Sequence, residues 1–367
     1  MGVSPSSVTQ YEAGNSSPRR QTIRDAAMAL GVPVEYLFAS PGRRTPRLET
    51  RSFFRSLRAT RQWQRDQADA AAEHLYDLVD FLDQRLQLPS IDIPNHPLNA
   101  DQISHKGIES ASQFVREEWD LPLGPISHMV RVLETRGVVV ARLRDIPPEV
   151  DGFSRWFDRR PIVLLSAAKQ DKGRSRFDAA HELGHLVIHH EPEPGDRTQE
   201  RQAHGFAATF LMPAEDVAPD LPRRLTRPEH WEKLFDARER WGVSAAALLY
   251  RSRELEVLTD SAFRRAMTHL TKMGLRRHDG AVLGAAEQPL LIGEAFKSLQ
   301  ESFDLGVADV AKALRFSETH ITQLLAERED APPSPVVNSE SGPEISNVRH
   351  LRSIQDSGRI AKTQISE

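Results

Sequence analysis

The residues that most constrain this chain are His181-Glu182-Leu183-Gly184-His185, set in the apolar run from Phe177 to Ile188. The run holds no proline, and helix is its expected state. On a helix of 3.6 residues per turn, His181 and His185 stand one above the other on the same face. Two imidazoles so placed can hold one Zn²⁺ at the ~2.0–2.1 Å that Zn–N bonds require. Glu182 then projects beside the metal, where a carboxylate can take a proton from an attacking water. That is hydrolytic machinery and points to a peptidase. The competing reading is a helix with two surface histidines and a solvated glutamate. Leu183, Leu186, Val187 and Ile188 argue against it, because they leave the helix little face for solvent. Buried histidines and carboxylates need partners, and one metal satisfies all three.

A catalytic zinc takes a third protein ligand and keeps one position open. The continuation H-E-x-x-H-x-x-G-x-x-H is missing, since Ile188 and Glu191 occupy its glycine and histidine positions. The segment Glu191-Pro192-Glu193-Pro194-Gly195-Asp196 ends the helix. A second helical pattern runs from Glu200 to Met212 and stops at Pro213, with apolar positions 203, 206, 207, 210 and 211 on one stripe. Two antiparallel helices joined by a short loop would bring Glu200 to the metal. The ligand set read from these residues is His181, His185 and Glu200. His204, one turn beyond Glu200, is expected to support a ligand or the substrate. His189, Glu191 and Glu193 are the competing donors, and Mn²⁺ or Fe²⁺ suits the same nitrogen and oxygen atoms. His189, His190 and Arg155 are the candidate donors to a developing oxyanion.

The run Arg176 to Leu186, followed by Glu200-Arg201-Gln202-Ala203-His204-Gly205-Phe206-Ala207-Ala208 and Leu211-Met212-Pro213, resembles the ImmA/IrrE family of zinc metallopeptidases. The resemblance implies a small gluzincin-like domain, with the two histidines and the helix glutamate as ligands and Glu182 as general base. It also implies a protein substrate, a helix-turn-helix repressor whose cleavage releases stress or mobile-element genes. Asp178 stands where that family usually has threonine, and His204 where it has asparagine or aspartate; neither change removes a metal ligand. Upstream, Ile126 to Arg136 reads as an amphipathic helix ended by Gly137. Residues 138–143, 152–157 and 161–166 read as strands, the last two joined by a turn at 158–160. An edge strand of that sheet could align an extended peptide by backbone pairing.

At the amino terminus, Gly2 to Gly14 and Thr22 to Phe38 resemble the back half of a Cro/C1-type (XRE) helix-turn-helix. Ser4 would cap the recognition helix and Pro5 would fill its first turn. Ser6, Ser7, Thr9 and Gln10 are the polar residues expected to reach bases or phosphates. In the resemblance, Met1 falls where the second of five helices ends, and a half domain buries little core. A net charge of −4 gives no global pull toward nucleic acid, which leaves any DNA contact local.

A chain of 367 residues has room for two or three domains. The expected order is a partial helix-turn-helix over 1–40, a helical connector and linker over 41–98, a zinc peptidase domain over 99–255, a helical region over 256–328 and a disordered tail over 329–367. Within the connector, the arginine-and-aromatic stretch from Thr45 to Arg65 reads as an amphipathic helix, with nucleic-acid binding as the alternative, and Gln67 to Leu88 continues as helix. Trp231 to Arg253 and Asp260 to Gly274 read as helices, and Leu305 to Leu325 reads as a helical hairpin, with a helix-turn-helix DNA reader as the alternative. The fold class is α+β and mostly helical, a zincin-like domain with a small sheet. There is no run of ~18 apolar residues, no charged-then-apolar leader and no cysteine, which gives a cytoplasmic expectation. The leading function is a zinc endopeptidase acting on a regulatory protein. The alternatives are an XRE-family DNA-binding regulator whose peptidase domain is a sensor or inactive, and a zinc-stabilised interaction module without turnover.

Overall fold

The computed structural model describes residues 2–38, 53–54, 62–94, 104–143, 152–157, 160–168, 171–189, 196–276 and 283–325. The expected tail over 329–367 lies outside them. The N-terminal segment forms α1 (Pro5–Glu12), α2 (Arg20–Leu30) and α3 (Val34–Leu37). Next come β1 (Phe53–Phe54) and α4 (Gln62–Asp83), then α5 (His105–Glu118) and α6 (Met129–Thr135). The sheet is completed by β2 (Val139–Leu143), β3 (Gly152–Phe157) and β4 (Arg160–Ser166).

The strand order is β1-β3-β4-β2, with β2 parallel to β4 and the other two pairings antiparallel. β4 is buried at every position, as a central strand covered on both faces must be. The period of two sends alternate side chains into two different cores. Val138, Val140, Val163 and Leu165 face one of them. Val139, Ala141, Ile162 and Leu164 face the other.

The first core is built by α5, α6, α7 (Lys172–Ile188), α8 (Arg197–Leu211), α9 (Ala214–Val217), α10 (Pro228–Trp241), α11 (Ala245–Glu254) and α12 (Asp260–Lys272). The second is built by α4 together with α13 (Leu291–Phe303), α14 (Val307–Leu314) and α15 (Glu318–Leu325). On α4, Ala68, Ala72, Leu75, Val79 and Leu82 form the buried stripe of an amphipathic helix. The result is a mostly helical α+β fold with helices on both faces of one small sheet. The expected connector and the expected C-terminal helical region thus meet in a single core.

Three local expectations differ from the structure. Phe53–Phe54, inside the stretch expected to be helical, is a strand pairing with Ser154 and Phe153 on the outer edge of β3. An aromatic pair suits a pleated surface, and an unpaired strand edge accepts it. The helix expected from Ile126 starts only at Met129, because His128 caps it by accepting the Arg131 N–H at 3.1 Å. The helical stretch after Trp231 breaks at Gly242, whose φ of 60° is left-handed, and restarts after Ser244, which caps α11.

Two buried carboxylates fasten the C-terminal helices to the first core. Glu134 on α6 accepts the N–H groups of Leu290 and Leu291, both at 2.8 Å, at the start of α13. Its burial outweighs those bonds and raises its pKa to about 7. Glu287 accepts the Val130 N–H at 3.0 Å and pairs with Arg176 at 3.4 Å.

Candidate metal centre

α7 starts at Asp171, whose carboxylate accepts the Arg174 N–H at 2.9 Å, and from Asp178 to Ile188 every residue is buried. The sheet, α6 and α8 enclose this stretch, so its ionisable side chains Asp178, His181, Glu182 and His185 are buried along with its apolar ones. Asp196 caps α8 in the same way, accepting from Thr198 and Gln199. The antiparallel helices approach closely at Gly184. A Cβ there would stand 3.1 Å from Phe206 Cβ and 3.2 Å from Ala203 Cα. This close approach lets the first turn of α8 reach the histidine face of α7.

The structure brings His181, His185 and Glu200 together. His181 Nε2 lies 3.1 Å from His185 Nε2 and 3.3 Å from Glu200 Oε2, and His185 Nε2 lies 3.5 Å from Glu200 Oε1. A tetrahedral zinc with bonds of ~2.0–2.1 Å has ligand–ligand separations of about 3.3–3.4 Å. The three donors fit such an ion. Both histidine side chains are 1 % exposed and Glu200 is 21 % exposed, so the centre opens on the Glu200 side. Burial by itself would raise the Glu200 pKa, but hydrogen bonds and charge from His181 and His185 outweigh it and hold the carboxylate below its usual range.

Glu182 is buried beside this cluster. Ser154 Oγ, from the middle of β3, donates to its Oε2 at 2.7 Å. A Cβ on Gly152 would lie 3.6 Å from Glu182 Oε1, an ordinary contact distance, so β3 also lines the side of the other oxygen. Nothing in the sequence marks Ser154; strand alternation assigns it a face and no more.

His189 does not join the three donors. α7 ends at Ile188, and the extended backbone at His189 turns its ring back so that Nδ1 meets His185 Nδ1 at 3.0 Å. Its Nε2 meets Gln202 Oε1 at 2.9 Å. Burial, then the neighbouring His185, lowers the His189 pKa to about 4, which keeps the ring neutral. His204 is exposed on α8, its ring 4.7 Å from that of Phe177 and 6.4 Å from that of His181. Arg155 points to α4, pairing with Asp69 at 3.5 Å and Glu73 at 3.9 Å. His190, Glu191 and Glu193 lie outside the described residues.

On α1, Ser4 accepts the Ser7 N–H and Pro5 occupies the first turn. Ser6, Thr9 and Gln10 are exposed and Ser7 is half-buried. The Ser6 and Ser7 hydroxyls share hydrogen bonds with Ser4 Oγ at 2.8 and 2.9 Å, and Thr9 donates to the Pro5 carbonyl at 3.2 Å.

A buried H-E-x-x-H helix against a small sheet, with a glutamate from the next helix, defines a zincin-like, metallopeptidase-type domain. Residues 133–253 match the family described as IrrE N-terminal-like domain, and residues 1–37 match a helix-turn-helix family. The chain therefore carries an IrrE/ImmA-like peptidase domain behind an XRE-type helix-turn-helix. No curated protein matches the chain. Among the described residues, no helix is long and apolar enough to cross a membrane.

Proposed function

We propose that this chain is a metal-dependent endopeptidase that cleaves a regulatory protein, a helix-turn-helix repressor controlling stress or mobile-element genes. The reading is carried by one observation, the convergence of His181, His185 and Glu200 within 4.8 Å of one another beside the buried Glu182. Zn²⁺, or Mn²⁺ or Fe²⁺ at the same donors, would polarise the scissile carbonyl and make the attacking water more acidic. Glu182 takes the proton of that water and returns it to the leaving amine nitrogen. Ser154, donating to Oε2, fixes the plane of the carboxylate for both transfers. His204, exposed beside the His181 ring, lies where a substrate side chain would meet it. A chain without cysteine suits work in the cytoplasm.

The test is cleavage of a panel of purified helix-turn-helix repressors by the zinc-loaded full chain. Glu182→Gln should lower the rate by about 10²–10⁴-fold with zinc content unchanged. Undiminished cleavage by that variant would sink the mechanism.

A second reading is favoured by the exposed Ser6, Thr9 and Gln10 on α1 and by the helix-turn-helix match over 1–37. Here the chain is a DNA-binding regulator and its peptidase domain a sensor. Specific, salt-dependent duplex binding that persists in His181→Ala, with no cleavage of any repressor, would select it.

A further inference from the structure

We propose that Gln202 and His189 are positioning residues that set the tautomer of His185 and so present its Nε2 lone pair to the metal. The inference rests on the metal reading of the site given above.

One atom in the relay has a fixed polarity. Gln202 Oε1 is a carbonyl oxygen and can only accept. At 2.9 Å from His189 Nε2, it requires that nitrogen to carry the proton. A neutral ring with Nε2–H keeps a lone pair at Nδ1. His189 Nδ1 therefore accepts, and its partner at 3.0 Å, His185 Nδ1, donates. With its proton on Nδ1, His185 has a lone pair at Nε2. That is the nitrogen lying 3.1 Å from His181 Nε2 and 3.5 Å from Glu200 Oε1, where the three donors converge. An amide turned the other way would present N–H₂ to His189, put the His189 proton on Nδ1, and leave His185 with its lone pair facing away from the metal.

The relay is built to hold this arrangement. His185 and His189 are each 1 % exposed and Gln202 is 4 % exposed, which leaves water little access to any bond in the series. The His189 main-chain N–H donates to the His185 carbonyl at 3.1 Å, so the ring is anchored through the backbone as well. Ligand histidines in metal sites are commonly oriented by an acceptor on the far nitrogen. In this chain the acceptor is a second histidine, itself oriented by an amide from the partner helix.

The experiment uses the full chain with ¹⁵N-labelled histidine. In metal-free wild type, two-bond imidazole correlations should show His189 as the Nε2–H tautomer and His185 as the Nδ1–H tautomer. In chelator competition, Gln202→Met, which removes the acceptor at similar volume, should bind Zn²⁺ about 10–100-fold more weakly. Gln202→Glu restores an oxygen acceptor and should bind as tightly as wild type or more tightly. Wild-type affinity in Gln202→Met, equal weakening in both variants, or a His189 Nδ1–H tautomer in wild type would each overturn the proposal. A wild type that shows both tautomers yet binds no zinc would uphold the relay and refute the metal reading alone. The wild-type spectrum decides the matter even if a variant fails to fold.

Discussion

The α7–α8 pair and the α1–α3 segment both carry polar side chains at the centre of their expected roles, and they hold them in opposite ways. In α7–α8, His181, Glu182, His185, His189 and Gln202 are buried, and their polar groups meet one another, Glu200 or Ser154. In α1–α3, Ala27 is the buried residue, while Met28 is 80 % exposed and the α1 hydroxyls bond within their own first turns. Metal and proton chemistry needs donors fixed in advance in a dry place. A surface that meets a large partner needs exposure, and local caps fix its shape where a core does not. The contrast predicts that disturbances in one region stay out of the other.

The sharpest way to break that contrast is to remove a donor. Glu200→Ala should abolish the roughly one equivalent of tightly held zinc expected for a three-donor site with one open position, as read by metal analysis, without changing duplex binding. Retained zinc would take Glu200 out of the centre. Packing comes next. Phe206→Ala, at a fully buried position against Gly184, should cost about 3–5 kcal/mol in denaturant unfolding. Met28→Ala on the exposed face of α2 should stay within about 0.5 kcal/mol.

The pH dependence of stability should also belong to the buried side. Glu134 has its pKa raised from 4.5 to about 7, so the fold favours its protonated form. Its contribution is full below pH 4.5 and is lost as pH rises through about 7, a change on the order of 3 kcal/mol. Glu134→Gln should flatten that part of the stability profile; an unchanged slope would place the titration elsewhere. A modest, local effect is expected at the α1 cap. Ser4→Ala should cost about 1 kcal/mol locally, seen as faster amide exchange in α1, with zinc content unchanged. A loss of zinc in Ser4→Ala would show the two regions to be coupled.

Much of the site was legible because helix periodicity is local. His181 and His185 share a face by spacing alone, and the apolar stripe of α8 places Glu200 one turn before Ala203. The strands expected at 152–157 and 161–166 followed from their composition and from the turn between them, and the second starts one residue earlier, at Arg160. Ser154 and Gln202 were not legible, since neither occupies a patterned position that distinguishes it from any other polar residue in an element. His189 was visible as a histidine one turn past His185. Its part depends on where the helix stops, because an extended backbone at that residue is what turns the ring back. The strand at Phe53–Phe54 escaped because an arginine-rich context reads as helix, and the vacant edge that captures it lies about a hundred residues away in the chain.

Sequence alone determined most of the elements and named the candidate donor groups, since backbone periodicity, caps and side-chain chemistry act over a turn or two. Only the tertiary structure decided which core each sheet face joins, that α4 and α13–α15 cover the far side, and which polar group stands against each imidazole nitrogen. Those outcomes depend on contacts between residues distant in the chain, and no local pattern encodes a distance between two segments that meet only on folding.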